Sequence, residues 1–199
     1  SVTGVQTCAL PIYLALESDG ADYLMISHSD FLAAAAPLQA QKSAQGLNTV
    51  LIDVQDIYDE FGYGMTDVYA IRSFIAYAYE HSASTYVLLI GDGHFDPKNN
   101  EGYGRNSYIP PFLAKIDPKI GETAADNRYA AVAGNDTLPD LMLGRLSVNT
   151  AAEAQSIISK IIAYETNPPE GDWKRQILAV TDNRDTTHFP LISESLLQD

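Results

Sequence analysis

The apolar positions of this chain fall into short blocks of two kinds. Residues 86–90 (YVLLI) are apolar in succession, without the alternation of a half-exposed strand, and predict a central parallel strand covered by helices on both faces. Residues 22–27 (DYLMIS), 49–54 (TVLIDV) and 176–181 (QILAVT) read as further short buried strands. Between them the spacing becomes helical. Val68, Ile71, Phe74, Ile75 and Ala78 fall at i, i+3, i+4 intervals in a helix expected over 67–81 and capped by Thr66. Ile157, Ile158, Ile161, Ile162 and Tyr164 give an apolar face to the helix that follows the capping box Thr150-Ala-Ala-Glu153 and runs to Glu165. An alanine-rich helix is expected from Ser29 or Asp30 to Gln45, broken or restarted at Pro37, and shorter ones over 57–61 and from Phe189. Tyr69, Tyr77 and Tyr79 read either as an aromatic binding stripe or, as this spacing favours, as sheet-packing residues with their hydroxyls at its rim.

Strand–helix–strand alternation predicts right-handed parallel crossovers, and so a three-layer, wound, mainly parallel α/β sheet with flanking helices. Residues 129–133 and 141–145 are expected to pair as a β-hairpin around the turn 134–140 (GNDTLPD). Residues 93–127 are rich in glycine and proline and show no periodicity, which marks a functional or ligand-ordered loop. The strand over 86–90 ends in Gly91-Asp92-Gly93, which leaves a carboxylate at the carboxyl end of the sheet, where open α/β sheets place their sites. The stretch 167–172 (NPPEGD) reads as a linker, so residues 22–170 form a first subdomain and 171–199 the truncated start of a second.

Charge narrows the partners. The 199 residues carry 26 acids and 12 bases, a net charge of −14, which disfavours nucleic acid and anionic lipid. No apolar run approaches the roughly 18 residues of a membrane span, and no signal peptide opens the sequence. Residues 2–12 (VTGVQTCALPI) read as one frame of a short-read sequencing adapter, so residues 1–12 are expected to be a non-native leader and 13–21 a linker. Cys8, the sole cysteine, falls in that leader, which leaves no disulfide framework or thiol nucleophile in the rest.

Phosphate-loop, zinc-helix and nucleophile-elbow motifs are absent. The four histidines are not spaced as a metal pair; His94, after the Gly-Asp-Gly edge, is a candidate base or a plain loop residue. Asp136 and Asp140 lie four apart in one loop, where their oxygens and intervening carbonyls suit a hard cation such as calcium, or where both carboxylates stabilise turns. The run Asp96-x-x-Asn99-Asn100-x-Gly102 lacks the terminal glutamate and flanking helices of an EF-hand loop. Asp182, at the end of the strand expected over 176–181, suits the acid of a nucleophile–base–acid arrangement or a cap of the following helix.

Several blocks in one order, YVLLIGDGHFD, IPPF (109–112), ADNRYA (125–130), GNDTLPDLMLGRLSV (134–148), the helix ending in Tyr164-Glu165, Trp173 and ILAVTDN, resemble the gingipain-type cysteine peptidases from about Tyr23 onward. The resemblance implies a caspase-like peptidase domain, a protein or peptide substrate, and the second subdomain of the same polypeptide as structural partner. It makes Asp182 the acidic partner of a catalytic histidine beyond residue 199. It likewise makes Asp136 and Asp140, with the carbonyls of Ala133 and Leu138, ligands of a structural calcium ion. Asp92 and Asp185 are weaker candidates, Asp185 lying near the family's acid for basic side chains in an ambiguous register. Neither the family's Gly-His-Gly segment nor its cysteine occurs, so this piece alone is expected to be inert. Export to the cell surface or medium follows from the resemblance alone. The rivals are a calcium-stabilised interaction or adhesion module of the same fold and, more weakly, a nucleotide-binding domain.

Overall fold

The computed structural model describes residues 14, 18–82, 84–119, 121–181 and 188–197; the chain divides into a first unit ending at Glu165 and a second from Thr166 onward. Four strands build the main sheet of the first unit: β1 (Tyr23–Ser27), β2 (Thr49–Asp53), β3 (Tyr86–Ile90) and β6 (Met142–Leu146). They run parallel in the order β2-β1-β3-β6, with Met25 paired to Leu51 and Leu88, and Leu88 to Gly144. The unbroken apolar run of β3 is explained by its two coats. Val87 and Leu89 enter one core with Leu24 and Ile26 of β1, while Leu88 and Ile90 enter the other with Met25.

The first core is closed by α2 (Val54–Phe61), α3 (Val68–Ser82) and the short α4 (Asn127–Ala130), through Ile57, Tyr58, Ile71, Phe74, Ile75 and Tyr129. The second is closed by α1 (Leu32–Ala44) and α5 (Ala151–Thr166), through Ala35, Leu38, Ala154 and Ile158. At the far ends of α1 and α5, Lys42 Nζ meets Glu165 Oε1 at 2.6 Å, and Gln45 donates to the other carboxylate oxygen. Each fully buried Leu, Ile or Phe contributes about 1.5–3 kcal/mol, so the two apolar layers, rather than this ion pair, hold the unit together.

Local signals explain most boundaries. Asp53 caps α2 by accepting from Gln55 N–H at 3.0 Å. Thr150 Oγ1 accepts from Glu153 N–H at 3.2 Å, while Glu153 Oε2 reaches back to Asn149 N–H at 2.7 Å, a capping box displaced by one residue. The cap of α3 is Asp67, whose Oδ1 accepts from Tyr69 N–H, in place of the expected Thr66. Pro37 does not break α1. It stands on the exposed face, four residues after the exposed Ala33, where water can satisfy the carbonyl that loses its partner. Tyr69 also departs from expectation, being 59% exposed and edge-on to Phe112 at 5.4 Å.

The hairpin is present but elsewhere. Inside the stretch read as a structureless loop, β4 (Leu113–Asp117) pairs antiparallel with β5 (Gly121–Ala124). Of residues 129–133, expected as a hairpin strand, Tyr129 and Ala130 belong to α4 and 131–133 form no strand, while the expected return strand over 141–145 is β6, parallel to β3. Met142 N–H donates to Thr85 O at 2.9 Å and starts that ladder with a partner more than fifty residues away, which no local pattern announces.

The second unit, taken alone, contains a 3-10 turn (Asp172–Arg175) and α6 (His188–Leu196). Residues 176–181 do not form the expected strand: Ile177, Leu178 and Val180 are 81%, 87% and 83% exposed. A strand needs a neighbouring ladder, and among the described residues of this unit there is none.

Candidate functional site

The strand ends of the first unit are stitched into a rim. His28 N–H donates to Ile90 O at 3.3 Å, Gly91 N–H to Leu146 O at 3.0 Å and Asp92 N–H to Val148 O at 2.9 Å, carrying the ladder past the carboxyl ends of β1 and β3. The carbonyl of Asp92 accepts from Tyr108 N–H at 2.9 Å and Ile109 N–H at 3.3 Å, folding the 108–111 segment over the bend. Glycine is required there. A Cβ on Gly93 would stand 2.5 Å from Ile109 O, and one on Gly91, at φ +143, 2.8 Å from Tyr108 Cβ.

Side chains then fill the rim. Asn149 Nδ2 donates to Asp92 Oδ2 at 3.2 Å, Tyr108 hydroxyl to Asn149 O at 2.8 Å, and Asn106 Nδ2 to the Tyr108 oxygen at 3.0 Å. The His28 ring lies edge-on to Tyr108 at 5.0 Å. A cavity of about 300 Å³ opens between Asp92, His94, Arg105, Asn106 and Asn149, and one of about 500 Å³ beside it is walled by His28, Asp30, Lys98 and Tyr108. A third, of about 580 Å³, lies away from the rim, along β6 from Thr85 and Asp126 to Arg145.

The expected residues separate. Asp92 is on the rim, half-buried and bonded to Asn149. His94 follows it, but its Nδ1 accepts Asp96 N–H at 3.2 Å and its ring packs on Phe95 at 4.4 Å. Among the described residues no hydroxyl bonds to an imidazole; the His94 backbone N–H donates instead to Ser107 Oγ at 3.1 Å. Asp96 is not a free ligand: its buried carboxylate accepts from Asn100 N–H at 2.9 Å and Glu101 N–H at 2.7 Å. Asp182 and Asp185 lie outside the described residues.

In the 134–140 loop both carboxylates work as turn acceptors. Asp140 Oδ2 takes the N–H groups of Val132 and Ala133 at 2.8 Å each, and Asp136 Oδ1 takes that of Leu138 at 2.9 Å. Those bonds leave Asp136 Oδ2, Asp140 Oδ1 and the carbonyls of Ala133 and Leu138 as hard oxygen donors. The set fits calcium in kind, with water completing the shell. Among the described residues no cluster of three or more His, Cys, Asp or Glu adds to it.

One residue beneath the rim was not singled out from the sequence. Arg145, inside β6, grips the Asp126 carboxylate with Nε at 2.6 Å and Nη2 at 3.2 Å, and its Nη1 donates to the carbonyls of Gly91 and Ile109, both at 2.9 Å. It thus joins the ADNRYA, IPPF and Gly-Asp-Gly blocks at one point. The signal was available: a guanidinium in an otherwise apolar strand demands a buried partner. Beside it, Tyr129 hydroxyl donates to Pro110 O at 2.6 Å, while the Tyr58 hydroxyl is buried without a partner among the described residues. Burial pushes both phenols above their ordinary pKa, and the Arg145 charge opposes the rise at each.

Comparison with known proteins places this geometry. The family model described as peptidase family C25 matches residues 16–198. Gingipain R2 of Porphyromonas gingivalis is 31% identical over 142 residues, 70% of this chain and 16% of the relative; gingipain R1 shows the same identity over 12% of its own length. The chain therefore spans about a sixth or less of these curated relatives. Among solved structures, dimeric latent PorU of the same organism superposes with a TM-score of 0.64 at 22% identity, covering 82% of this chain and 18% of that one. The complex of RgpB pro- and mature domains gives 0.54 at 26% identity, covering 71% and 28%.

Proposed function

Since the chain belongs to peptidase family C25, we propose that it forms the amino-terminal part of a gingipain-like cysteine endopeptidase domain with the caspase-like fold. The observation that carries this reading is the family match across residues 16–198, on a sheet whose carboxyl rim is open and polar. In the complete protein a thiolate attacks the peptide carbonyl, a histidine takes and returns the proton, and Asp182 holds that histidine in its productive tautomer. The thiol and the imidazole come from sequence other than residues 1–199, whose one cysteine, Cys8, stands in the leader-like stretch. Residues 1–199 by themselves hydrolyse nothing. Their part is mechanical: the Arg145 clamp fixes the bend at Gly91, and Asp92 and Asn149 line the wall along which a peptide lies.

Asp136 and Asp140, with the carbonyls of Ala133 and Leu138, hold a structural calcium ion in this reading. The millimolar calcium outside cells suits so modest a donor set and agrees with a secreted or surface protein. Among the described residues no helix is long and apolar enough to cross a membrane.

Turnover of a peptide substrate by the full-length protein tests the assignment. Asp182→Asn should lower kcat by about a hundredfold or more with KM and melting temperature little changed, as loss of the acid that sets the histidine tautomer does elsewhere. Wild-type turnover in that variant would remove Asp182 from the mechanism. Turnover insensitive to a thiol alkylator would remove the cysteine-peptidase reading itself.

A further inference from the structure

A cavity of about 270 Å³ lies within the first unit between α3, α4 and the start of the hairpin, lined by Tyr69, Arg72, Phe112, Ala114, Arg128 and Asp136. Its charge is unusual for this molecule. In a chain of net charge −14, two arginines and one aspartate line it.

The two arginines are differently held. Arg72 Nε donates to the carbonyls of Arg128 at 3.2 Å and Ala131 at 3.1 Å, and its Nη2 donates to Ala131 O as well. These bonds cap the carbonyl end of α4 and fix the guanidinium, while leaving Nη1 outside them. Arg128 is a half-buried residue, and its guanidinium makes no hydrogen bond or ion pair with any described residue. Asp136, the one acid on the wall, already accepts Leu138 N–H with Oδ1.

The rest of the wall is apolar. Tyr69 and Phe112 stand edge to face at 5.4 Å, and Tyr69 is 59% exposed, so one aromatic ring is open beside the two cations.

From this juxtaposition we infer that the cavity binds a peptide carboxylate flanked by an aromatic or large aliphatic side chain, the acid on Arg128 and Arg72 and the apolar group on Tyr69 and Phe112. A guanidinium held in a partly desolvated wall matches a carboxylate in geometry and charge, and an immobilised one loses little further freedom on binding. The carboxylate has two possible sources, a chain terminus or an acidic side chain, and the chemistry at the guanidiniums is the same for both. The site is independent of the peptidase reading, since it contains none of the residues assigned to bond cleavage.

The test is a titration of the chain, in buffer without divalent ions, followed by NMR. N-acetylphenylalanine supplies a terminal carboxylate, N-acetyl-glutamyl-phenylalaninamide only a side-chain one, and N-acetylphenylalaninamide none. Taken to about 10 mM, where a ligand of millimolar Kd approaches saturation, at least one acid should shift the ring signals of Tyr69 and Phe112 saturably. The neutral amide should bind at least about tenfold more weakly. Which acid binds identifies the source. Arg128→Gln, at a side chain with no partner to lose, should weaken binding about tenfold while leaving the melting temperature unchanged. Equal binding of acid and neutral amide, no saturable shift from either acid, or full affinity in Arg128→Gln would each overturn the site.

Discussion

Two apolar runs in this chain meet opposite fates. Val87, Leu88, Leu89 and Ile90 of β3 are at most 8% exposed, whereas Ile177, Leu178 and Val180 are more than 80% exposed. Their side chains are of the same kind, so composition does not separate them. What β3 has is neighbours: β1 on one edge, β6 on the other, and a helical layer over each face. Residues 176–181 have no ladder partner among the described residues of their own unit. An apolar run states that burial is needed; where the partner lies is a property of the fold around it.

The sharpest way to break that comparison is to put the same charge in both runs. Leu89→Asp places an unpartnered carboxyl group in the first core and removes a buried leucine, a cost of about 5 kcal/mol or more against the roughly 5–15 kcal/mol stability of a domain, and the first unit should unfold or lose most of its urea midpoint. Leu178→Asp should leave the first unit's urea midpoint within about 0.5 kcal/mol of the parent. Equal losses in the two variants would show that 176–181 is buried after all.

The next largest effect concerns the clamp that gives β3 its rim. Arg145→Met leaves the Asp126 carboxylate and the carbonyls of Gly91 and Ile109 without their donor, a loss of about 3 kcal/mol by urea unfolding. In an Asp126→Asn background the same change should cost clearly less, because no uncompensated charge remains. Additive losses would mean that the two side chains do not act as a pair.

Alkaline titration probes the first core again. The folded pKa values of Tyr58 and Tyr129 are raised by burial, so the folded state binds the phenolic protons more tightly than the unfolded chain does. Their contribution is fully present below the ordinary phenol value of about 10 and is lost as pH rises beyond it. Urea midpoints should fall steeply above that pH, and Tyr58→Phe, which removes a hydroxyl with no partner among the described residues, should flatten the fall without loss at neutral pH. A midpoint flat across that range in the parent protein would contradict the burial.

Calcium should give the smallest change. At ten times its Kd it would add about 1.4 kcal/mol to the first unit, seen as a rise in melting temperature that Asp136→Asn abolishes. No rise at saturating calcium would remove the metal from the 134–140 loop.

Much of this architecture can be read along the chain because it is local. Runs apolar on both faces became the inner strands β1 and β3, the i, i+3, i+4 face of α3 became the wall of the first core, and Glu153 closed its capping box. The misplaced elements depend on distant pairing. Residues 141–145 look equally apt for a hairpin and for a parallel strand, and only the contact of Met142 with Thr85 decides. Pro37 stays inside α1 because the opposite face of that helix is packed and water can satisfy the exposed carbonyl of Ala33, neither of which the local sequence states. At the site, Asp92 was legible as a carboxylate after a strand and between glycines. Arg145 was overlooked because its partners come from three separate segments, at 91, 109 and 126.

The central claim is that the carboxyl rim of this sheet is one wall of a peptidase cleft. Hydrogen exchange on the full-length protein, with and without a peptidyl chloromethyl ketone bound to its thiol, tests it most directly. Slowed exchange should concentrate at residues 91–94 and 147–149. Unchanged exchange there, with protection instead along residues 139–145 beside the 580 Å³ cavity, would contradict it.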